Sequence, residues 1–471
     1  MTSEFVLMDF HELSVAVGGE LYVFRDSGVS GFSSVGIDSR TIVPGSLFVA
    51  LPGESSDGHD FLEAAFSNGA VIAMVERGKL DAALEIAKAA GKAVVAVGDT
   101  LRGLQDAARA YLEKFPGLLK IGITGSSGKT TTKEITAAII STERNTVASR
   151  GNYNSETGLP LSVFEVRPEH EVGVFELGMN RVGEMADLAA VLRPDIALVT
   201  NTGSSHIGLI GSRRGIAEEK KAIFSRLGEN GLAIIPGDSE FRDFMAEGVA
   251  GRVSFHGEKS LPGFGGAKSL GLDGSEIVWE GQKIAFALPG RHNVANALCA
   301  IAIACEVPVG IAAIKKGLES VRPMFGRGEV MRGRATVIRD CYNSNPESLE
   351  GAVGFCDDVD WPGRRIYVIG SMLELGEISR AAHNCMGRLL ANSKADMVYL
   401  FGEETASAVA VLEAKGTVKF LHTCDMDELI REVDAGKKDG DLVLLKGSRG
   451  CALERLCPIF EGGGGYVSGN I

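Results

Sequence analysis

The chain has 471 residues, with 48 Lys plus Arg against 61 Asp plus Glu and a formal net charge of -13. That balance excludes a general nucleic-acid binder, which needs a basic surface to displace counterions from phosphates. At 45% hydrophobic and 23% charged residues, the composition is that of a globular chain of two to four domains, taking about 150 residues per domain.

Up to Val97 the pattern is short apolar runs closed by turn residues (SLFVALPG, AVIAMVERG, AVVAVGD), with a helix over Asp60 to Asn68 between them. These runs predict a smaller α/β N-terminal domain over residues 1–98. Apolar positions recur at helical spacing from Thr100 to Phe115, and Pro116-Gly117 ends that helix. LLKIGITG, VGVFELG, DIALVTN and GLAIIPG then read as strands buried on both faces of a parallel sheet. Helices over Lys129 to Ser141, Gly183 to Leu192 and Gly215 to Leu227 alternate with them, which predicts a central, doubly wound α/β domain over residues 99–325. Within it, residues 252–288 carry further β-like runs, and Asn293 to Cys305 reads as a buried helix. RPMFGRGEV marks a linker, after which ATVIRDCYN, RRIYVIGSM, DMVYLFGE, VKFLHT and DLVLLKGSRG restart the alternation. They predict a Rossmann-like C-terminal domain over residues 326–471. GGGG at 462–465 is the sole low-complexity tract.

All eight Cys lie between Cys299 and Cys457, and no two form a CxxC pair. Neither a disulfide framework nor a zinc ribbon is expected, and reduced thiols imply a cytoplasmic protein. MTSEFVLMDFHELS has no basic region and does not read as a signal peptide. The longest apolar run, Ala297 to Cys305, is far short of the ~20 residues a membrane span needs, so no integral membrane segment is expected.

The sharpest motif is Thr124-Gly125-Ser126-Ser127-Gly128-Lys129-Thr130-Thr131, between a strand and a helix. Backbone N–H groups of such a turn and the helix N-terminus form a concave anion site. There Lys129 would meet the β- and γ-phosphates of ATP and the Thr130 hydroxyl would meet Mg²⁺. The common phosphate-loop pattern asks for Gly where Ile123 stands, so the loop is a TGxxGKT variant. Glu176 and His206 follow neighbouring strands at carboxyl ends, where open α/β sheets bind ligands. A carboxylate and an imidazole there can hold divalent cations beside the phosphates. Alone, each has a plain alternative, as a helix cap and as a loop histidine.

TGSSGKTTTKE, GNYN at 151–154, ELGMN, the His206 loop, EEKKAIF, LPGRHNVANALCA, FGRGEV, DCYNSNPESL, GSMLELGE and LLKGSRG occur in that order. Together with GIDSRTIVPGSLFVALPGESSDGHDF near the start, they resemble the Mur ligases over almost the whole chain. These are ATP-dependent enzymes of peptidoglycan precursor assembly, and the likeness is to the branch that adds D-alanyl-D-alanine to UDP-N-acetylmuramoyl-tripeptide. The resemblance implies an acyl phosphate made from ATP, two Mg²⁺ sites and a monomer. Lys220 matches the family's lysine carbamylated by CO₂, with Lys221 the alternative in EEKK; the carbamate and His206 would hold the second Mg²⁺.

The resemblance also implies an adenine contact at Asn293 and contacts of Arg327 and Asp340 with phosphate and ribose. Ser39 and Arg40 would meet the uridine diphosphate. Asn152, Asn154 and Thr157 would line the muramoyl-peptide groove, although Asn and Gly here can equally be turn formers. Tyr342 and Asn345 belong to the loop expected to receive the dipeptide, with Ser371 to Glu374 beside it. A sibling ligase adding one amino acid is less well matched, because no DNPR-type motif is present. Folylpolyglutamate synthase lacks the first domain, and a GTP-type switch would need an NKxD sequence that this chain lacks.

Overall fold

A computed structural model describes residues 5–24, 29–53 and 55–460. The GGGG tract and the first four residues of the N-terminal stretch lie outside them. The expected α/β architecture is present, built on three main sheets. The central one has six strands, all parallel, in the spatial order Arg252–His256, Leu232–Pro236, Ile196–Val199, Leu119–Thr124, Val172–Glu176, Thr146–Ala148. Its first strand in sequence, Leu119–Thr124, is flanked by the third and fourth. Crossovers therefore leave that strand in opposite directions, and their loops part at its carboxyl end to form a crevice.

Alternation along these strands feeds two cores. Ile121, Ile123, Val174, Leu198 and Ile234 face one, packed by the helices Lys129–Ile140, Arg291–Ala304 and Ile311–Ser320. Phe175, Val199 and Ile235 face the other. This second core runs without a break into Leu47, Val49, Met74 and Val95 of the N-terminal sheet. That sheet has the strand order Glu20–Val23, Ala93–Val97, Ile72–Glu76, Ser46–Val49, Ser34–Gly36, and only the Glu20–Val23 edge is antiparallel. The helix Thr100–Glu113 joins the two sheets by packing on Phe10–Val17, Gly158–Val163 and Glu184–Leu192. Its Tyr111 is fully buried, and the hydroxyl donates to the Val166 carbonyl at 2.6 Å.

The C-terminal sheet runs Glu329–Arg332, Thr336–Asp340, Leu442–Lys446, Arg365–Gly370, Met397–Phe401, Lys419–Thr423, antiparallel only at the first pair. It carries its own cores on both faces. A three-stranded antiparallel sheet, Phe264–Ser269, Ser275–Trp279 and Gln282–Phe286, accounts for the β-like runs before residue 288.

Two helices differ from the sequence pattern. The one expected over Gly215 to Leu227 is α-helical over Arg213–Lys221 and tightens to 3₁₀ over Ala222–Arg226. The one over Asp60 to Asn68 enters through a 3₁₀ turn, Gly58–Phe61, before the α-helix Leu62–Ser67. Short 3₁₀ turns at helix ends are common because they satisfy terminal backbone groups that the α pattern leaves over. No helix among the described residues is long and apolar enough to cross a membrane.

Tyr111→Phe removes one of two side-chain donors to the Val166 carbonyl, the other being Arg167 Nη1 at 2.8 Å. A cost of about 0.5–1.5 kcal/mol is expected, read as a lower denaturation midpoint for the unit that contains the central sheet. An unchanged midpoint would mean that water replaces the hydroxyl at this seam.

Candidate active site

The crevice at the end of Leu119–Thr124 opens into a cavity of about 980 Å³ between the central sheet and the loops of the C-terminal sheet. Gly125 and Gly128 have φ of +156° and +78°. A Cβ at Gly125 would lie 1.8 Å from Thr200 Oγ1, and one at Gly128 would lie 2.1 Å from Asn296 Oδ1. Both positions therefore need glycine, for conformation and for space.

The neighbouring strand end holds the turn open. Thr200 Oγ1 donates to the Ser127 carbonyl at 2.6 Å, and Asn201 Oδ1 accepts from Ser127 N at 3.1 Å. Lys129 Nζ donates to the Gly125 carbonyl at 2.8 Å. Burial, and secondarily the charge of Arg327, push the Lys129 ammonium below its ordinary pKa, while Glu176 opposes them. An anion entering the turn would favour the charged ammonium and oppose that shift.

Glu176 is buried at the end of its strand. Asn154 Nδ2 donates to Oε1 at 2.6 Å, whereas Oε2 is buried without a partner. A buried carboxylate oxygen left unpaired is costly unless a cation or donor completes it. With the Thr130 hydroxyl on the same cavity wall, the pair fits a divalent cation that also takes phosphate oxygens. Among the described residues no group of three or more His, Cys, Asp or Glu could hold a metal ion. A metal here would therefore depend on hydroxyl and phosphate oxygens.

His206 has a left-handed backbone, φ +63°, and its Nδ1 lies 2.8 Å from Glu374 Oε2, a charge contact without hydrogen-bond alignment. Glu374 is itself left-handed, φ +64°. Left-handed non-glycine residues are uncommon, and such strain collects at functional sites. Lys220 is buried and makes no hydrogen bond or ion pair among the described residues. Burial first, then Lys129, pushes its amine well below the ordinary lysine range. Lys221 instead donates to the Phe244 carbonyl at 2.8 Å and lies over the Phe244 ring. Of the two, Lys220 has the environment that favours a neutral amine.

On the facing wall, Arg327 lies 4.0 Å over the Tyr342 ring, and Asp340 pairs with the buried Lys446 at 2.9 Å. Asn293 Nδ2 donates to the Pro289 carbonyl at 2.8 Å, and Gly290 precedes the helix, so Asn293 is not its N-cap. Asn345 is a helix N-cap. Its Oδ1 accepts from Ser348 N, and its Nδ2 donates to Ser205 Oγ, which donates to the Ser126 carbonyl of the phosphate turn.

The cavity thus collects Ser126, Ser127, Gly128, Lys129, Thr130, Thr131, Asn152, Asn154, Glu176, His206, Asn293, Arg327, Asp340, Tyr342 and Asn345. Gly125, Thr157 and Lys220 are not among its lining residues. Neither are Ser39 and Arg40; Arg40 is exposed and forks onto Asp38, whose carboxyl it pulls down to about 2. The sequence reading missed Thr200 and Asn201, which clamp the phosphate turn. It also missed Ser204 and Glu347, where Ser204 N and Oγ both donate to Glu347 at 2.9 and 2.8 Å. The VTNTGSSH segment carried a signal, since small hydroxyl residues at a strand's carboxyl end are ready partners for a neighbouring turn.

Three family models match in succession: Mur ligase family, catalytic domain, over residues 31–112; Mur ligase middle domain over 123–304; and Mur ligase, glutamate ligase domain, over 326–449. The UDP-N-acetylmuramoyl-tripeptide–D-alanyl-D-alanine ligase of Treponema pallidum is 43% identical over 462 residues, 97% of this chain and 99% of the relative. A crystal structure of MurF from Acinetobacter baumannii superposes with a TM-score of 0.84 at 29% identity, covering 95% of this chain and 97% of that one. MurF from Thermotoga maritima in complex with ADP gives 0.77 at 27% identity, covering 91% and 96%.

Gly128→Ala forces a left-handed residue and a clash with Asn296 into the phosphate turn. Mg-ADP binding measured by calorimetry should weaken roughly tenfold or more in a protein that still folds. Unchanged affinity would mean that this turn does not carry the phosphates.

Proposed function

The chain belongs to the Mur ligase family, and we infer that it catalyses the ATP-dependent joining of D-alanyl-D-alanine to UDP-N-acetylmuramoyl-tripeptide, giving the pentapeptide precursor of peptidoglycan. The observation that carries this reading is the single cavity, with a glycine-built phosphate turn on one wall and the loops of the C-terminal sheet on the other. We assign residues 1–98 to the uridine-diphosphate end of the substrate, 99–325 to ATP and 326–471 to the dipeptide. Eight free cysteines accord with a reducing, cytoplasmic setting, and we take the working form to be a monomer.

A carboxylate is a poor acyl donor, so the tripeptide's terminal carboxylate first attacks the γ-phosphorus of ATP and ADP leaves. The dipeptide amine then adds to the acyl phosphate, loses its proton, and inorganic phosphate departs from the tetrahedral intermediate. The protein's task is to align these groups and to neutralise charge as it develops. Among the described residues Lys129 Nζ has only the Gly125 carbonyl as hydrogen-bond partner, so its arm can turn to the β- and γ-phosphates. Arg327, stacked on Tyr342 with no carboxylate partner among the described residues, offers its fork to phosphate. Asp340 suits ribose hydroxyls and Asn293 the adenine edge. Ser39 and Arg40, with Asn152, Asn154 and Thr157, serve the uridine-diphosphate and muramoyl-peptide ends.

Mg²⁺ held by Thr130 and Glu176 would screen the phosphate charge and polarise the γ-phosphoryl group. We also propose that Lys220 is carbamylated and that, with His206, it holds a second Mg²⁺. Only a neutral amine reacts with CO₂, and the burial of Lys220 favours that form at neutral pH.

Mg-ATP with both substrates should release phosphate and give a product heavier by one D-alanyl-D-alanine; release with single amino acids instead would point to a sibling ligase. Removing CO₂ should lower kcat and bicarbonate should restore it, whereas a Lys220→Ala variant should not respond. The amine's pKa is depressed, so carbamate is retained above that depressed value and lost as pH falls through it. The bicarbonate requirement should therefore grow toward acid pH, and a response that grows toward alkaline pH would refute the assignment.

A further inference from the structure

Lys133 lies one helical turn beyond Lys129 and is fully buried, an expensive place for an ammonium without a purpose. Its Nζ donates to the Ser149 carbonyl at 2.5 Å and to the Gly151 carbonyl at 3.3 Å, and it pairs with the half-exposed Glu134 at 2.8 Å. Both carbonyls belong to the turn that follows the edge strand Thr146–Ala148 and leads into Asn152 and Asn154. This turn reaches Glu176 by two routes. Ser149 Oγ accepts from Glu176 N at 3.2 Å, and Asn154 Nδ2 donates to Glu176 Oε1 at 2.6 Å. Asn154 is fixed in turn, because Gly178 N donates to its carbonyl at 2.8 Å and the absence of a Cβ at Gly178 lets the amide pack there.

We propose that Lys133 is a positioning residue which, through Ser149 and Asn154, sets the Glu176 carboxylate so that Oε2 faces the cavity unpaired. The inference rests on the reading of Glu176 as a Mg²⁺ ligand beside ATP. One amine on the phosphate-turn helix thereby aligns two things that the turn itself does not touch: the metal carboxylate and the start of the muramoyl-peptide wall. Groups that orient a metal ligand without touching the metal typically change affinity by about 10–100-fold when removed.

The test titrates Mg²⁺ against binding of a non-hydrolysable ATP analogue to the full chain, with no muramoyl substrate present. In wild type, Mg²⁺ should tighten analogue binding; if it does not, the metal reading fails first and separately. Lys133→Met, similar in length and without the amine, should need about tenfold more Mg²⁺, with metal-free analogue binding unchanged. In turnover, its KM for UDP-N-acetylmuramoyl-tripeptide should rise while that for D-alanyl-D-alanine stays put. Ser149→Ala keeps the carbonyl that Lys133 holds and removes only the acceptor of Glu176 N. It should shift the Mg²⁺ requirement in the same direction by a smaller factor, and it decides the matter if Lys133→Met does not fold. An unmoved Mg²⁺ requirement in the folded variants, or a proportional loss of all binding with fewer folded molecules, would overturn the proposal.

Discussion

The cleft depends on how closely two strand ends approach each other. Thr200 Oγ1 would lie 1.8 Å from any Cβ at Gly125, and the same hydroxyl donates to the Ser127 carbonyl. This contact pins the turn against the neighbouring strand, where Asn201 also accepts from Ser126 N and Ser127 N. It exists because parallel strands from crossovers of opposite direction end side by side, leaving room for a turn but not for its side chains. Lys129, Thr130 and Lys133 then follow on one helix whose start the turn fixes. Glu176 and His206 arrive on or after the flanking strands.

Much of this was legible in the residues. Continuous apolar runs such as DIALVTN can be buried only between layers, so the parallel central sheet and the Rossmann-like C-terminal sheet followed from pattern. The glycine-rich turn and the strand-end positions of Glu176 and His206 pointed to one crevice, and these residues do line one cavity. What could not be read was pairing at a distance. Nothing local in HIGLIG says that Gly208 will press against Gly376, where a Cβ would meet the Gly376 nitrogen at 2.3 Å. Nor does Glu347, one acid in a helix, announce that both its oxygens will cap Ser204 of another sheet. The helix expected over Gly215 to Leu227 shortened for a similar reason, since periodicity does not distinguish an α turn from a 3₁₀ one. Arg40 was assigned by motif, and the structure spends its fork on Asp38.

The two seams of the molecule differ in kind. The N-terminal and central sheets share one apolar core, with Tyr111 buried at the junction. The C-terminal sheet encloses its own cores and meets the central sheet mainly through polar contacts: Asn345 with Ser205, Glu347 with Ser204, and Glu374 with His206. Ile207 and Leu272 are the central residues among the partly buried apolar side chains packed on it. Polar contacts of this sort can be exchanged for water at small net cost, whereas a shared core cannot.

That asymmetry has a thermal consequence. Swinging the C-terminal sheet away would wet polar contacts along with Ile207 and Leu272, and the heat-capacity changes of polar and apolar exposure have opposite signs. Parting the third sheet from the central one would therefore carry a smaller heat-capacity change than parting the first two. Prising the first two sheets apart would carry the steep curvature of an unfolding reaction. The molecule combines one joint built as a shared apolar core with another built largely of polar contacts.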